Sequence, residues 1–236
     1  MTKTRKPDTG VISLADEHAV RDAVWGSIQD LWEVVNTLTR LRPSTRERYR
    51  VTIFGSARVE PDTFAYDETK RAARMLAEMG CDIVTGGGPG LMQAANEGAS
   101  AASGRSRSYG IRVELPFEQE VNAFVTQAFE HQTFFTRLHQ FVLVSDAFIV
   151  TPGGIGTVLE TMLIWQLLQV RHLEHTPLIM VGKMWPGLIE WVRDAMLSFE
   201  TPLIDAADVD IPVCVANADE AIAIIRDHRK TQAAQA

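Results

Sequence analysis

The sequence predicts an α/β protein with a Rossmann-like, doubly wound parallel sheet and helices on both of its faces. Three observations support this fold class. Short apolar runs alternate with amphipathic helical segments, two of these runs lead into glycine-rich loops, and each loop opens a helix. Strands of a parallel sheet are buried on both faces and therefore read as continuous apolar runs. We expect a single domain of this class, preceded by one further helix.

The first 49 residues precede the predicted sheet. Residues 1–14 are charged and polar and are predicted to be flexible, whereas apolar residues recur along one helical face within 15–41. A basic, proline-containing linker completes the segment 15–49. The predicted helix could cover the sheet or pack on a second subunit, and the sequence leaves both possibilities open.

The α/β domain is predicted over 50–229. Strands are expected at 50–54, 82–85, 108–113, 128–130, 147–151, 178–181 and 212–215. Helices are expected at 65–79, 91–103, 134–144, 156–170, 185–199 and 219–229. The remaining residues, 230–236, are polar and alanine-rich and are expected to form a flexible tail.

Composition excludes several classes of function. With 46% apolar and 22% charged residues the chain can form one globular domain, and a net charge of −7 with scattered basic residues disfavours a nucleic acid polymer as partner. Cys81 and Cys214 are expected to be reduced thiols, and no Cys/His cluster has the spacing of metal ligands. No run approaches the about 18 apolar residues of a membrane span, and no signal peptide is evident. We expect a cytoplasmic protein without metal, cofactor or membrane partner.

Two glycine-rich loops are the strongest functional signal. One follows the predicted strand 82–85 and reads GGGPG, and the other follows the strand 147–151 and reads PGGIG. Such loops lie at the carboxyl ends of strands, where bare amides and a helix N-terminus together suit a phosphate. Neither loop matches G-x-G-x-x-G or G-x-x-x-x-G-K-[ST]. Each loop alone could instead be a tight strand-to-helix turn.

The end of the second loop has its own structural explanation. Thr157 and Glu160 are spaced as a capping box, in which the threonine oxygen and the glutamate satisfy free amides at a helix start. A capping box would account for these two residues without chemistry. It would not account for the proline and glycines in front of them.

The residues from Pro152 to Glu160 read PGGIGTVLE, which is the complete PGGxGTxxE signature of the LONELY GUY (LOG) family. Members of this family are cytokinin riboside 5′-monophosphate phosphoribohydrolases and are often mislabelled lysine decarboxylases. The GGGPGLM stretch at 86–92, the FGS turn at 54–56, the segment 110–122 and Arg137 also resemble the family, so that the resemblance covers about 51–199. Leu138 departs from the lysine that usually follows the family's arginine.

The resemblance implies hydrolysis of the N-glycosidic bond of a nucleoside 5′-monophosphate, with release of the free base and ribose 5-phosphate. Glu160 would stabilise positive charge on the ribose or activate water. Arg137 is too basic to act as a general acid and would hold Glu160 ionised or bind a ligand oxygen. Candidates for protonating the leaving base are Glu114, Glu118 and Asp146, although a turn role is the simpler explanation for Asp146.

Binding roles divide between the two loops. The phosphate is expected on the amides of Gly153, Gly154 and Gly156 and on the hydroxyl of Thr157. The base is expected near the first loop and the first strand, at Ser56, Gly86, Gly87, Gly88 and Met92.

Other interpretations remain open. A nucleotide-binding or sensing protein could keep the phosphate site and lack turnover, and the loss of a cation at Leu138 favours it. A pyridoxal phosphate-dependent decarboxylase would need a lysine for a Schiff base, and Lys183 is the plausible one.

The resemblance also implies a homodimer. Trp165, Leu167 and Leu168 could form its contact or belong to the core.

Overall fold

The predicted strands form one sheet of short strands, in which β2, β5 and β6 are buried throughout and β4, at the edge, is largely exposed. A computed structural model of the chain describes residues 16–38, 47–104, 106–114 and 120–235. The strands are β1 (Arg50–Phe54), β2 (Asp82–Thr85), β3 (Ser108–Val113), β4 (Gln127–His131), β5 (Ala147–Val150), β6 (Leu178–Val181) and β7 (Pro212–Val215). The helices are α1 (Glu17–Leu38), α2 (Phe64–Glu78), α3 (Leu91–Ser100), α4 (Phe134–Val144), α5 (Ile155–Gln169), α6 (Trp185–Val192), α7 (Ala206–Val209) and α8 (Ala218–Gln235).

The chain divides into two units, Met1–Thr45 and Arg46–Ala236. The first unit contains α1, and the predicted flexible residues 1–14 lie outside the described residues. Among the described residues, no helix has the length and apolar character that crossing a membrane requires.

The second unit is a Rossmann-like α/β domain, as the sequence predicts. Its helices differ from the prediction mainly at their ends. A π-helical turn at Arg193–Leu197 follows α6, within the single helix predicted at 185–199. The four-residue α7 is too short to show a helical period. α8 continues to Gln235, beyond the predicted end at 229, because alanine, lysine and glutamine are good helix formers.

All strand pairs are parallel, in the order β4-β3-β2-β1-β5-β6-β7. The chain builds outward from β1 to β4 and then returns to place β5 on the other side of β1. The loops after β1 and β5 therefore leave the sheet in opposite directions. In open α/β sheets, this reversal of strand order creates the crevice in which ligands bind.

Alternation along the strands places side chains in two core layers. Ile53 and Ile149 pack on the face that also contains residues of α2 and α8, whereas Phe54 and Phe148 pack on the opposite face with residues of α4 and α5. Both faces of the central strands are thus covered by helices. This burial fixes the carboxyl ends of β1 and β5, from which the site is built.

The loops after β1 and β5 are tied to each other. Ser56 N donates a hydrogen bond to Pro152 O at 3.0 Å, and Thr151 N donates to Phe54 O at 2.8 Å. A Cβ on Gly55 would overlap Thr151 Oγ1, so the two loops approach this closely only because residue 55 is glycine. The two sides of the crevice are consequently held in a fixed relation.

Candidate functional site

A cavity of about 740 Å³ occupies the crevice at the carboxyl edge of the sheet. Residues from the loop after β1, the loop after β2, the end of β3, and helices α4 and α5 line it. It therefore brings together segments that are far apart in the sequence. The predicted site residues that line it are Ser56, Gly86, Gly88, Met92, Arg137, Gly154, Gly156, Thr157 and Glu160.

The N-terminus of α5 forms one wall of this cavity. The helix begins at Ile155, and Gly154 is its N-cap, without a side-chain cap. The amides of a first helical turn have no acceptor within the helix and lie at the positive end of its dipole. A Cβ added to Gly154 or Gly156 would find no protein atom within 4 Å, which leaves the main chain of this turn open to a ligand. These features suit an anion.

Gly153 is closely packed within the loop after β5. A Cβ on this residue would overlap the side chain of Thr157, so the glycine is required by packing within the loop itself. Among the described residues that line the cavity, Gly154 is the first of the PGG segment. Gly153 thus has a packing role in the loop, and its predicted part in phosphate binding stays a prediction.

The capping-box explanation of Thr157 and Glu160 is wrong. Thr157 is the third residue of α5, and its carbonyl oxygen accepts a hydrogen bond from Thr161 Oγ1 at 2.7 Å, as in a helix interior. Glu160 lies one turn further along. Since N-capping does not explain Glu160, its position on the cavity wall needs another reason.

Glu160 is a buried carboxyl group paired with Arg137. Its Oε1 lies 3.3 Å from Arg137 Nη2, and the two side chains are 10% and 14% exposed. Burial raises the pKa of Glu160 to about 7, although the arginine lowers it. Desolvation is the larger of the two effects, and the arginine acts in the direction expected of a group that favours the ionised carboxylate. A carboxyl group with this pKa can gain and lose a proton near neutral pH.

Arg137 is held in place by three further contacts. Its Nε donates to Ile111 O at 3.0 Å, its Cζ lies 5.3 Å from the centroid of the Phe141 ring, and its backbone is in the first turn of α4. Leu138, next to it, is buried on the other side of the helix and does not line the cavity. The absence of lysine at 138 therefore removes no cation from the wall that the described residues form.

The glycines of the first loop, between β2 and α3, differ in their surroundings. Gly86 and Gly88 line the cavity with Met92. Gly87 has a φ of +74°, and a Cβ there would lie 3.2 Å from the α-carbon of Gly110 on β3. Gly87 is therefore required by close contact with the neighbouring strand, and its predicted part in binding the base stays a prediction.

Two buried asparagines, which sequence reasoning missed, hold this loop. Asn122 Nδ2 donates to Gly88 O at 2.9 Å, to Gly87 O at 3.1 Å and to Asn96 Oδ1 at 2.9 Å. Asn96 also accepts from Thr85 Oγ1 at 2.8 Å. Burial of a polar group is costly without such partners, so this network fixes the loop conformation. Asn96 lies between the buried Ala95 and Ala99 on the core face of α3, and this position was the available signal.

Two further arginines line the cavity and were also missed. Arg58 follows β1 by four residues and is exposed, and Arg112 lies on β3 with a side chain that is 16% exposed. Arg112 Nη1 is 3.8 Å from Glu130 Oε1. With Arg137 the wall carries three guanidinium groups, which suit an anionic ligand. The position of Arg112 at the carboxyl end of a predicted strand was a usable signal.

Several other predicted candidates lie away from the cavity. Asp146 accepts a hydrogen bond from Arg50 N at the amino edge of the sheet, which agrees with a turn role. Glu114 is exposed beyond β3, and Glu118 lies outside the described residues. Lys183 lines a separate cavity. Trp165 belongs to the core and donates from Nε1 to Asp208 O at 2.8 Å, which agrees with the core alternative, and the dimer contact stays a prediction.

The arrangement defines a class of protein: a Rossmann-like α/β domain whose switch-point crevice combines a helix N-terminus, guanidinium groups and one buried carboxyl group. Residues 92–225, more than half of the 236-residue chain, match the family model described as "Possible lysine decarboxylase". The chain belongs to this phosphoribohydrolase-like family, which confirms the LOG resemblance. No curated protein matches the chain.

Three similar solved structures have the same fold. The molybdenum cofactor binding protein from Rippkaea orientalis has a TM-score of 0.59 and 19% identity, covering 78% of this chain and 98% of that chain. The Moco carrier protein from Chlamydomonas reinhardtii has a TM-score of 0.57 and 19% identity over 78% and 99% of the two chains. The protein TM1055 has a TM-score of 0.56 and 20% identity over 76% and 99%. At this level of identity, the likeness concerns the fold.

Proposed function

We propose that this protein hydrolyses the N-glycosidic bond of a nucleoside 5′-monophosphate of the purine or cytokinin type. The observation that carries the proposal is the buried Glu160, with a pKa near 7, in the same cavity as the open N-terminus of α5. One feature suits the bond-breaking step and the other suits the phosphate. Membership of the phosphoribohydrolase-like family supports the proposal that both features act on one substrate.

In this proposal the phosphate binds to the main-chain amides at 154–157 and to the Thr157 hydroxyl. The helix N-terminus holds the charge, and a bound phosphate fixes the position of the attached ribose. Glu160 lies one helical turn from Thr157, so the ribose of a substrate held there is close to the carboxyl group. The base extends towards Ser56, Gly86 and Met92.

Cleavage of the bond from C1′ to the base nitrogen leaves positive character on the ribose. The ionised form of Glu160 stabilises this charge and accepts a proton from the attacking water. The water oxygen bonds to C1′ as the bond from C1′ to the base breaks. The departing base takes up a proton from solvent, and Glu160 releases the water proton to solvent to complete the cycle. Arg137 limits the rise in the pKa of Glu160 and keeps part of it ionised at neutral pH.

The test is incubation of purified protein with AMP and with N6-isopentenyl-AMP, followed by chromatography for free base. Wild-type protein is expected to release base, and Glu160→Gln is expected to lower the rate by at least about a hundredfold. Glu174→Gln, at an exposed carboxylate in the α5–β6 loop, is the matched control and should retain wild-type turnover. Equal rates in wild type and Glu160→Gln would move catalysis to another residue.

A carrier without turnover is the second candidate. Two of the similar structures are named as a molybdenum cofactor binding protein and a Moco carrier protein. A cavity that binds an anion through amides and arginines would also serve such a carrier. The test covers pH 5 to 9, roughly the range in which a carboxyl group of this pKa changes charge. Saturable binding of AMP or of molybdenum cofactor, without release of base at any of these pH values, would favour the carrier over the hydrolase.

The description as a lysine decarboxylase is less well supported by the geometry. A Schiff base needs a lysine at the site of reaction. Of the described residues that line the cavity, the cationic ones are Arg58, Arg112 and Arg137, and Lys183 lies elsewhere. An absorbance spectrum after addition of pyridoxal phosphate is expected to lack a band from an internal Schiff base.

We also propose a homodimer, as the resemblance implies. Phe135, Ile155 and Leu159 are apolar side chains exposed on α4 and α5, the helices that carry Arg137 and Glu160. Exposed apolar groups of this size are typical of contact surfaces. Sedimentation of wild-type protein is expected to give a dimer, and Ile155→Lys is expected to shift it towards monomer.

A further inference from the structure

A second cavity, of about 490 Å³, lies at the same edge of the sheet, on the face covered by α2 and α8. Its wall includes Ile53, Ile149 and Val181 from the ends of β1, β5 and β6, and Thr151 and Pro152 from the start of the signature loop. This volume falls within the range of small-molecule sites. The signature loop therefore contributes to two separate cavities, Pro152 to one and Gly154 to the other.

The interior of this second cavity is apolar. Ala72, Ile53 and Ile149 are buried in its wall. The threonine hydroxyls that reach it already donate within the protein: Thr69 Oγ1 to Ala65 O at 2.7 Å, and Thr151 Oγ1 to Phe54 O at 2.8 Å. A ligand that fills this space must therefore have an apolar body, because the interior offers it few free hydrogen-bonding groups.

The charges at its rim are unequal. Glu68 accepts from both Nε and Nη2 of Arg71, at 2.9 and 3.0 Å, and from the amide of Ala218 at 3.0 Å. The bonds from Arg71 and from the amide lower the pKa of Glu68 and occupy its carboxylate oxygens. Arg71 is shared with Asp219, whose carboxylate accepts from Nη1 and Nη2 at 2.9 and 3.0 Å. Lys183 is exposed at the rim and has no ion pair with any residue that the structure describes. The rim thus presents one cation whose charge is not matched locally.

Apolar side chains surround this cation. Phe64 is 78% exposed and Met184 is 43% exposed, although both line the same cavity. Exposed phenylalanine and methionine at the mouth of an apolar cavity gain free energy when a ligand covers them. A ligand with an apolar body and one negative group would cover these side chains and pair with Lys183.

From this combination of an apolar interior, a Glu68 whose oxygens already accept from Arg71 and the Ala218 amide, and a Lys183 without an ion pair among the described residues, we infer that the second cavity binds a small amphipathic monocarboxylate. The apolar body occupies the space between α2 and the ends of β1, β5 and β6, and the carboxylate pairs with the Lys183 ammonium. This site is independent of the proposed hydrolase reaction, because the residues that would bind and cleave the nucleotide line the other cavity.

Octanoate serves as the probe, with octylammonium as the ligand of matched length and opposite charge. Isothermal titration with full-length protein is expected to give saturable binding of octanoate and weaker binding of octylammonium. Lys183→Met keeps the apolar stem and removes the charge. The affinity for octanoate should fall by about two- to fivefold, the range expected for an exposed ion pair. Lys183→Arg should restore the affinity.

Ala72→Phe places a ring in the cavity and is expected to abolish octanoate binding. Because this variant could unfold, the exposed Lys183→Met remains the decisive one. Glu160→Gln should bind octanoate as wild type does, whether or not the protein is a hydrolase, which separates the two proposals. The inference is overturned if octanoate does not bind saturably, if octylammonium binds equally well, or if Lys183→Met leaves the affinity unchanged.

Discussion

The guanidinium group of Arg137 lies directly over the α-carbon of Gly86. A Cβ at position 86 would be 2.6 Å from Arg137 Nη2 and 2.6 Å from Met92 Sδ. The same Nη2 is the atom nearest to Glu160. The first glycine loop thus leaves the space that allows an arginine from α4 to reach a carboxyl group on α5.

Gly86→Ala is therefore expected to displace Arg137 from Glu160 without unfolding the protein, because the ends of two flexible side chains can move. A displacement of about 1 Å at a reacting centre lowers rates by about a hundredfold, and we expect kcat/KM to fall by about this factor. Gly187→Ala, where a Cβ would meet no atom within 4 Å, is the control. Similar loss of activity in both variants would contradict a specific role for the space at Gly86.

The raised pKa of Glu160 predicts a pH-dependent stability. Burial raises this pKa from 4.5 to about 7, so the folded state binds more protons than the unfolded state between these values. Stability contributed by the neutral carboxyl is present at low pH and is lost as pH rises through this window, by about 3 kcal/mol at most. Glu160→Gln lacks this dependence. Thermal melting from pH 5 to pH 8 should show the variant gaining stability relative to wild type.

The control for this prediction is Glu174→Gln, at an exposed carboxylate. Its melting temperature should follow that of wild type at every pH. A constant difference between wild type and Glu160→Gln across the range would show that the carboxyl group does not titrate there.

Removal of Arg137 should shift the titration of Glu160 further. The arginine lowers the pKa of this carboxyl, so Arg137→Met is expected to raise it above 7. If the ionised form is the active one, kcat/KM of wild type should rise with pH and level off above about 7, and the variant should level off at higher pH. A pH profile of kcat/KM for each protein shows the pH at which its rate levels off. Arg193→Met, at an exposed arginine, is the control and should leave the profile unchanged. If kcat/KM of Arg137→Met levels off at the same pH as that of wild type, Arg137 does not set the pKa of Glu160.

Asn122 is expected to be important for stability, because its side chain bonds to two carbonyl groups of the glycine loop and to Asn96. Asn122→Ala leaves these buried acceptors without a donor and should reduce the free energy of unfolding by about 1–3 kcal/mol. Gln132→Ala, at an exposed amide side chain between β4 and α4, should cost less. Denaturant titration provides the comparison, and equal losses would argue against the network.

The sequence predicted the strands and both glycine loops because these depend on local patterns. Buried parallel strands such as β5 are continuous apolar runs, and glycine clusters mark the places where main chain is exposed or crowded. The family resemblance also pointed to Arg137 together with Glu160, although they come from different helices. Here the resemblance supplied what composition and spacing do not.

Other features could not be predicted, because they depend on distances across the fold. The contact between Asn96 and Asn122 joins residues 26 apart in the sequence. The direction of a long side chain such as Arg58 is not fixed by its position after a strand. The pKa of Glu160 depends on burial that only the packed helices produce. Neighbouring glycines also serve different ends, since Gly153 packs inside the loop whereas Gly154 opens onto the cavity.

This difference between Gly153 and Gly154 gives a matched pair of variants. Gly153→Ala forces overlap with Thr157 and should destabilise the protein by about 1–3 kcal/mol, the usual cost of overpacking. Gly154 has a φ of −89°, which alanine tolerates, and its Cβ would enter open space. Gly154→Ala should therefore keep the melting temperature of wild type. Its methyl group would project beside the first amides of α5 and should weaken binding of a nucleoside monophosphate by about tenfold, which corresponds to about 1.4 kcal/mol. Melting curves and AMP titrations on the two variants test this assignment, and unchanged AMP affinity in Gly154→Ala would mean that the anion does not bind at this helix N-terminus.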